Sequence, residues 1–404
     1  MLNKCIVTTS AVLAALAACS PALAQDQTGT ANPASCIENF DPQTDYFEHK
    51  VSPSHSTLWE IEYHNSYKVL TVPNSEYPDR PGLQYLLVQC GAPMPELTGG
   101  LEDAIVVEIP VDRTIVTHRN GLGMLDEIGA VETIVGASHN MFGYAEQDAW
   151  YRNMLDLAGD PLDIGSEGGV EFEATVALEP DIIVMGGYGA GYEQVGNVLS
   201  RGLPAVMVSN RIEPTPLASA EWIKFLSAFY NVEETANETF SEIEAGYDET
   251  INLVADALPD GYTVVYTCID PNGGCAFMYA HGASTLNGQI IERLGAGNPF
   301  AEGNNALNGM AFDYEASLAR ASDADFFILY SWVSETLAND ERYQNFDAIA
   351  RGDFIQANDH NLNECYATSY VRVDMLIRDF ALGLLPDLFP GEEGVCFSAP
   401  RTIN

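Results

Sequence analysis

Between residues 113 and 208 short apolar runs alternate with stretches whose apolar positions recur every three or four residues. The runs Thr114–Thr117, Thr133–Val135, Asp181–Met185 and Ala205–Val208 predict strands. The stretches Gly121–Ile128, Trp150–Leu157, Phe172–Leu178 and Tyr192–Leu199 predict helices. Strands this short and this apolar, each followed by a helix, predict a parallel sheet covered on both faces. A long helical region then breaks the alternation. Ala218, Trp222, Phe225, Leu226 and Phe229 share one face, and after a break near Asn231 so do Phe240, Ile243, Tyr247, Ile251, Val254 and Leu258. The α/β pattern resumes with strand Tyr262–Thr267, a hairpin to Met278, helices Leu286–Leu294 and Tyr314–Ala321, strand Phe326–Leu329 and a closing helix Asp374–Leu384.

Ahead of all this, residues 1–24 carry one cation, Lys4, and an apolar stretch from Ala11 to Ala18, which predicts a secretory signal too short to span a membrane stably. Two processing sites compete. Ala22-Leu23-Ala24 suits ordinary signal peptidase, whereas Leu16-Ala17-Ala18-Cys19 has the form of a lipobox and would make Cys19 a lipid anchor. Residues 25–35 are a polar tether. The period-two alternation in Thr57–His64, with Tyr67–Val72 and Leu83–Gln89, predicts an antiparallel preamble. The organisation expected is therefore signal 1–24, tether and preamble 25–104, first lobe 105–232, interlobe helix 233–258 and second lobe 259–404. In fold class this is α/β, two lobes with parallel-sheet cores joined by a long helix.

Charge narrows the function classes. The 404 residues include 58 acidic and 17 basic side chains, a net charge of −41, yet 47% of positions are hydrophobic, so the imbalance does not signal disorder. Such a polyanion repels nucleic acid. Only Lys4, Lys50, Lys68 and Lys224 are lysines, a balance that suits either a saline exterior or solubility alone. Removing residues 1–24 leaves 58 acids against 16 bases, or −42. Six cysteines remain after that removal: Cys36, Cys90, Cys268, Cys275, Cys365 and Cys396. An even number in an exported chain without C-x-x-C spacing favours disulfides over metal ligation. Cys268 and Cys275 flank the turn-rich 270–274. Proximity in sequence suggests Cys36–Cys90 and Cys365–Cys396 for the others.

No G-x-S-x-G, H-E-x-x-H or G-x-x-x-x-G-K-[ST] occurs, so no enzyme chemistry and no cofactor are expected. Gly186-Gly187-Tyr188-Gly189-Ala190-Gly191 follows a strand but fails dinucleotide spacing and suits a strand-to-helix loop. Three histidines, His118, His139 and His281, fall just past predicted strand ends, where a parallel sheet presents ligand groups. They could be polar loop residues or could join a carboxylate around a metal. Arg119, Tyr188, Tyr192, Arg211 and Trp332 occupy comparable loops, where Arg forks onto oxyanions and aromatic rings stack.

Several stretches resemble the substrate-binding proteins of bacterial ABC importers, in the rigid-helix class that serves ferric siderophores, haem and cobalamin. The run Arg113-Thr114-Ile115-Val116-Thr117-His118, with Leu125-Asp126-Glu127-Ile128-Gly129-Ala130 and Ile134-Val135-Gly136-Ala137, is similar to the family's opening strand, helix and second strand. Phe172-Glu173-Ala174-Thr175-Val176-Ala177-Leu178-Glu179-Pro180-Asp181-Ile182-Ile183 resembles its most specific motif. Ser369–Asp379 through Pro390 resembles its closing helix, with Val373 where the family has Pro. The resemblance covers roughly residues 105–390.

It implies an exported protein, in the periplasm or on the outer face of the cytoplasmic membrane, that holds an iron complex in a cleft between the lobes. It also implies two docking carboxylates for an ABC permease, Glu173 and, by its matching place in the second lobe, Glu315. No ligand residue carries over, so the ligand candidates rest on loop position. The competing expectations are a Zn or Mn carrier using His118, His139 and His281, and a secreted metal-dependent enzyme on a similar scaffold.

Overall fold

The computed structural model describes residues 32–73, 82–166, 169–187, 190–269, 275–331, 337, 340–358 and 362–398. The signal and Cys19 lie outside them. The preamble forms a four-stranded sheet of β1 (Glu60–His64), β2 (Tyr67–Val72), β3 (Leu83–Gln89) and β4 (Ile105–Ile109), in that order. β1, β2 and β3 pair antiparallel, but β4 runs parallel to β3, from Tyr85 opposite Ile105 to Gln89 opposite Ile109. The three strands expected from the sequence pair antiparallel, and β4 is a further strand that the alternation does not mark. The connection between Cys90 and Ala104 is long enough for a parallel crossover, and Cys90 at its start is tied to Cys36. Apolar side chains of this sheet, Trp59 and Tyr85 among them, meet Phe225 and Phe229 edge-on at 5.7–6.3 Å.

The first lobe follows as β5 (Thr114–Val116), α1 (Arg119–Glu127), β6 (Ile134–Ala137), α2 (His139–Ala145), α3 (Ala149–Leu157), β7 (Leu162–Asp163) and a small hairpin of β8 (Gly165–Ser166) and β9 (Gly169–Val170). Then come α4 (Phe172–Ala177), β10 (Ile182–Gly186), α5 (Ala190–Leu199) and β11 (Ala205–Val208). Its five-stranded sheet has the order β11-β10-β5-β6-β7 and is parallel throughout. β10 and β11 are buried at every residue, which is why their sequences are unbroken apolar runs. Gly187, just past β10, is required by packing, since a Cβ there would stand 2.3 Å from Met207 Cγ.

Helices α6 (Pro216–Ala220) and α7 (Trp222–Tyr230) lead to α8 (Glu233–Val254), the 22-residue helix joining the lobes. At 1.5 Å per residue it spans about 33 Å. Its buried positions, Ala236, Phe240, Ile243, Tyr247, Thr250 and Val254, repeat every three or four residues. It ends four residues short of the expected 258, and Asn231, in the left-handed region at φ 57°, separates it from α7.

The second lobe is built on β12 (Val264–Cys268), β13 (Met278–Ala280), α9 (Leu286–Arg293), β14 (Met310–Phe312), α10 (Tyr314–Ala321) and β15 (Phe326–Leu329). It closes with α11 (Asp347–Arg351), β16 (Phe354–Ala357), α12 (Leu362–Thr368), α13 (Val373–Leu384) and β17 (Phe397–Ser398). The sheet order is β14-β13-β12-β15-β16-β17, with β12, β15 and β16 parallel at the centre and antiparallel strands at both edges. Cys268–Cys275 and Cys365–Cys396 are bridged, with Cα atoms 5.6 and 5.7 Å apart.

Candidate functional site

In the first sheet the strand order reverses between β5 and β10, and the carboxyl ends there are where an open α/β sheet presents a ligand crevice. His118 and Arg119 follow β5 directly, and Asn210 and Arg211 follow β11. Facing them from the second lobe are Tyr330 after β15, Tyr366 on α12 and Tyr370 just beyond it. Arg119 and Arg211 with the three tyrosines border a cavity of about 440 Å³, within the range of organic-ligand sites. The lobes meet closely beneath it. Asn120 Nδ2 donates to the Tyr366 carbonyl at 3.0 Å, and a Cβ on Gly123 would fall 2.6 Å from the Ala367 carbonyl oxygen.

The cavity wall is electrostatically unlike the rest of the molecule. Among the described residues it contains Arg119 and Arg211 and neither an Asp nor a Glu, although acids outnumber bases more than threefold in the chain. The Arg119 guanidinium lies 5.1 Å from the Tyr366 ring and 5.3 Å from the Tyr144 ring, and it has no carboxylate partner among the described residues. Arg211 lies 4.9 Å from the Tyr370 ring and donates to Asn308 Oδ1. Elsewhere Arg342, Arg351, Arg372 and Arg378 all pair with acids at 2.6–2.8 Å.

His281 lines the cavity, ringed by Tyr266 at 4.8 Å and Tyr330 at 5.0 Å. Burial first, and then the Arg211 charge, pull its imidazole down to about 3, so it is neutral across the physiological range. His118 is buried against the same crevice and is pulled to about 3 by the same two causes. His139 is elsewhere. It is the first residue of α2, exposed, and ion-paired with Asp163 at 2.6 Å, which raises its pKa. The structure thus brings Arg119, Arg211 and His281 to one cavity with His118 behind it, and leaves His139 out. Tyr188, Trp332 and the Tyr192 side chain lie outside the described residues. Among those described, no group of three His, Cys, Asp or Glu could hold a metal ion.

Sequence reasoning missed Tyr366, Tyr370 and Asn308. The Tyr-x-x-x-Tyr spacing of the first two is one helical turn, but a stripe of that kind is common in packed cores and marks a ligand wall only once the facing lobe is known. It also missed that two cystines, Cys268–Cys275 and Cys365–Cys396, border the cavity.

Glu173 and Glu315 are both exposed, each in the first turn of its helix, α4 and α10. Asp313 caps α10, its side chain accepting from Ala316 N at 2.8 Å. The aromatic residue before each Glu carries an arginine, Arg201 at 5.0 Å from Phe172 and Arg342 at 5.6 Å from Tyr314.

Two α/β lobes on a connecting helix, with a cavity at the strand ends whose described wall carries no Asp or Glu, define a binding protein. A profile of the periplasmic binding protein family matches residues 115–360, and the chain belongs to that family. Its members are substrate-binding components of ABC transporters, and the chain works outside the cytoplasm, in the periplasm or at the outer face of the cytoplasmic membrane. No helix among the described residues is long and apolar enough to cross a membrane.

Two uncharacterized lipoproteins of Methanocaldococcus jannaschii are similar. One is 23% identical over 359 residues, covering 85% of this chain and 79% of its own, and the other is 23% identical over 326 residues, covering 78% and 79%. Among solved structures, the petrobactin-binding protein YclQ of Bacillus subtilis aligns with a TM-score of 0.56 at 14% identity, over 78% of this chain and 99% of its own. The molybdate-binding protein MolA of Haemophilus influenzae aligns at 0.54 and 16%, over 70% and 90%. A possible iron-binding periplasmic protein of Staphylococcus epidermidis aligns at 0.51 and 17%, over 68% and 99%. At these identities the likeness is one of fold.

Proposed function

We propose that the chain captures an anionic, oxygen-rich iron complex, a ferric siderophore or haem, in the interlobe cavity and delivers it to an ABC permease. The observation that carries this reading is that the described cavity wall holds Arg119 and Arg211 and no carboxylate, in a chain of net charge −41. A cation such as Arg119, held on aromatic rings with no carboxylate partner among the described residues, is a fork prepared for an incoming oxyanion. Size argues for an organic complex, since about 440 Å³ far exceeds the volume of a bare tetrahedral oxyanion. The rest of the described wall is uncharged: the neutral His281 imidazole, tyrosine rings, asparagine amides, serines and the two cystines among them. Glu173 and Glu315 are the docking carboxylates in this reading, exposed anions on separate lobes that steer encounter with basic pockets of the permease. Cys19, in its lipobox, is the candidate lipid anchor, a reading favoured by the lipoprotein names of the two archaeal relatives. The divalent-carrier alternative loses support from the distance of His139 from the cavity wall, and no catalytic constellation favours an enzyme.

The test is native mass spectrometry and titration calorimetry of the mature chain against ferric dicitrate, a ferric catecholate, haemin, cyanocobalamin, molybdate, Zn²⁺ and Mn²⁺. Binding of one or more anionic iron complexes is expected. Binding confined to cobalamin, molybdate or a divalent ion would overturn the iron reading.

A further inference from the structure

Arg211 belongs to a single 3-10 turn, Asn210–Ile212, at the end of β11. One such turn is too weakly bonded to fix a long side chain by itself, so what holds the turn from outside sets where the guanidinium meets Asn308 and the Tyr370 ring. Glu213, two residues on and 3% exposed, does most of this. Its carboxylate accepts from Ser56 Oγ and, at 2.8 Å, from Trp222 Nε1, while its carbonyl accepts from Gln289 Nε2 at 3.2 Å.

Ser56 is itself anchored. The fully buried carboxylate of Glu221 accepts from the backbone N–H groups of Ser54, His55 and Ser56 at 2.7–2.8 Å and from Ser54 Oγ at 2.7 Å. Glu221 ends α6, and Ser219 of that helix donates to the carbonyl of Tyr370, whose ring carries Arg211. The loop 54–56 thus holds both the turn bearing Arg211 and the helix against the ring on which it rests.

We propose that Ser56 is a positioning residue for Arg211, acting through its hydrogen bond to Glu213. The loop ahead of the preamble sheet is then part of the binding site although none of the described preamble residues lines the cavity. The functional consequence rests on Arg211 being a ligand group, as proposed above, but the positioning does not.

The test therefore has a readout that needs no ligand. The Arg211 charge bears on both His118 and His281, so the ring-nitrogen NMR shifts of those imidazoles report where the guanidinium sits. Ser56→Ala is expected to move both resonances in the direction that Arg211→Ala moves them, and to add nothing in the Arg211→Ala background. Ser56→Thr, which keeps the hydroxyl, should leave the wild-type spectrum, and His139 on the surface should not respond in any variant. Should Ser56→Ala fold poorly, Ser56→Cys, of similar volume with a weaker donor, takes its place. Unmoved His118 and His281 resonances, or equal shifts with and without Arg211, would overturn the proposal. In a second arm, affinity for ferric dicitrate should fall about fivefold in Ser56→Ala, the loss of one ordinary hydrogen bond. If wild type does not bind ferric dicitrate, only the ligand reading suffers, and the NMR shifts still decide the positioning.

Discussion

Replacing Lys68 by Met should destabilise the protein more than any other conservative change in the preamble. Lys68 is fully buried on β2 and donates to the Ala228 carbonyl at 2.7 Å, to Asn231 Oδ1 at 2.7 Å and to Glu233 Oε1. Glu233, equally buried, is the first residue of α8, so the pair fixes the start of the helix that joins the lobes. Met matches the volume but strands a buried carboxylate. That loss is about 3–5 kcal/mol for a buried pair broken on one side. Glu233 still accepts from Asn32 at 2.7 Å and from Tyr63 at 3.3 Å, which places the loss toward the lower end.

Changing both partners, Lys68→Met with Glu233→Leu, removes the stranded charge. The Ala228 carbonyl and Asn231 amide lose a partner in both variants, so the second change adds only the Asn32 amide and the Tyr63 hydroxyl, each short of one partner, at about 1 kcal/mol apiece. The double variant should therefore be more stable than the single one. Urea unfolding followed by tryptophan fluorescence suits the question, because Trp59 and Trp222 are fully buried close to this network. A lower midpoint at unchanged slope is expected for Lys68→Met. A loss under about 1 kcal/mol, or a double variant weaker than the single one, would refute the reasoning.

Arg119→Ala should weaken binding of an anionic iron complex about 10- to 100-fold, the worth of charge-assisted hydrogen bonds, with Arg119→Lys intermediate because it loses the fork; undiminished affinity by calorimetry would remove Arg119 from the site. Glu173→Arg together with Glu315→Arg should abolish stimulation of the permease ATPase while leaving ligand affinity intact, and a loss of ligand affinity would count against their docking role. Stability against pH should carry a particular shape. His118 and His281 are held down to about 3, so the unfolded chain binds more protons than the folded one from about pH 6.5 to 3, and acidification through that window destabilises. Glu213 and Asp379, pushed up by burial to about 7 and about 6, act with the opposite sign as pH falls to their ordinary values. The four nearly cancel between about pH 4.5 and 6, and below about pH 4 the histidines act alone, at up to about 3 kcal/mol per pH unit. Glu213→Gln with Asp379→Asn should move the onset of acid loss up toward pH 6, and coincident profiles would show the sign assignment to be wrong.

Much of the architecture was legible from local pattern. β11, β15 and α10 fall where the apolar periodicity places them, and the other elements quoted there begin or end within a few residues of the prediction, because each buries a continuous run or a single helical face. The strand β16 and the helix α12 carried no such signal. Phe354–Ala357 is broken by Gln356 and flanked by Asp353 and Asn358, so it offers no continuous apolar run, and α12 is framed by polar residues whose burial depends on the other lobe. The parallel pairing of β4 was equally hidden, since alternation specifies which face a strand buries and not the direction of its neighbour.

The sequence by itself determined the export class, the lobed α/β organisation, the long connecting helix and the two exposed glutamates, all of which follow from composition, periodicity and motif within one stretch of chain. Only the tertiary structure decided which charged and polar groups meet. It put Arg119 and Arg211 opposite Tyr366 and Tyr370 from the far end of the chain, excluded His139, and tied Ser56 to the turn that carries Arg211 across 157 positions of sequence. The reason is physical: a binding site is an electrostatic arrangement among distant segments. In a chain this acidic, a wall whose described residues carry no carboxylate exists only after folding has sorted the acids to the outside.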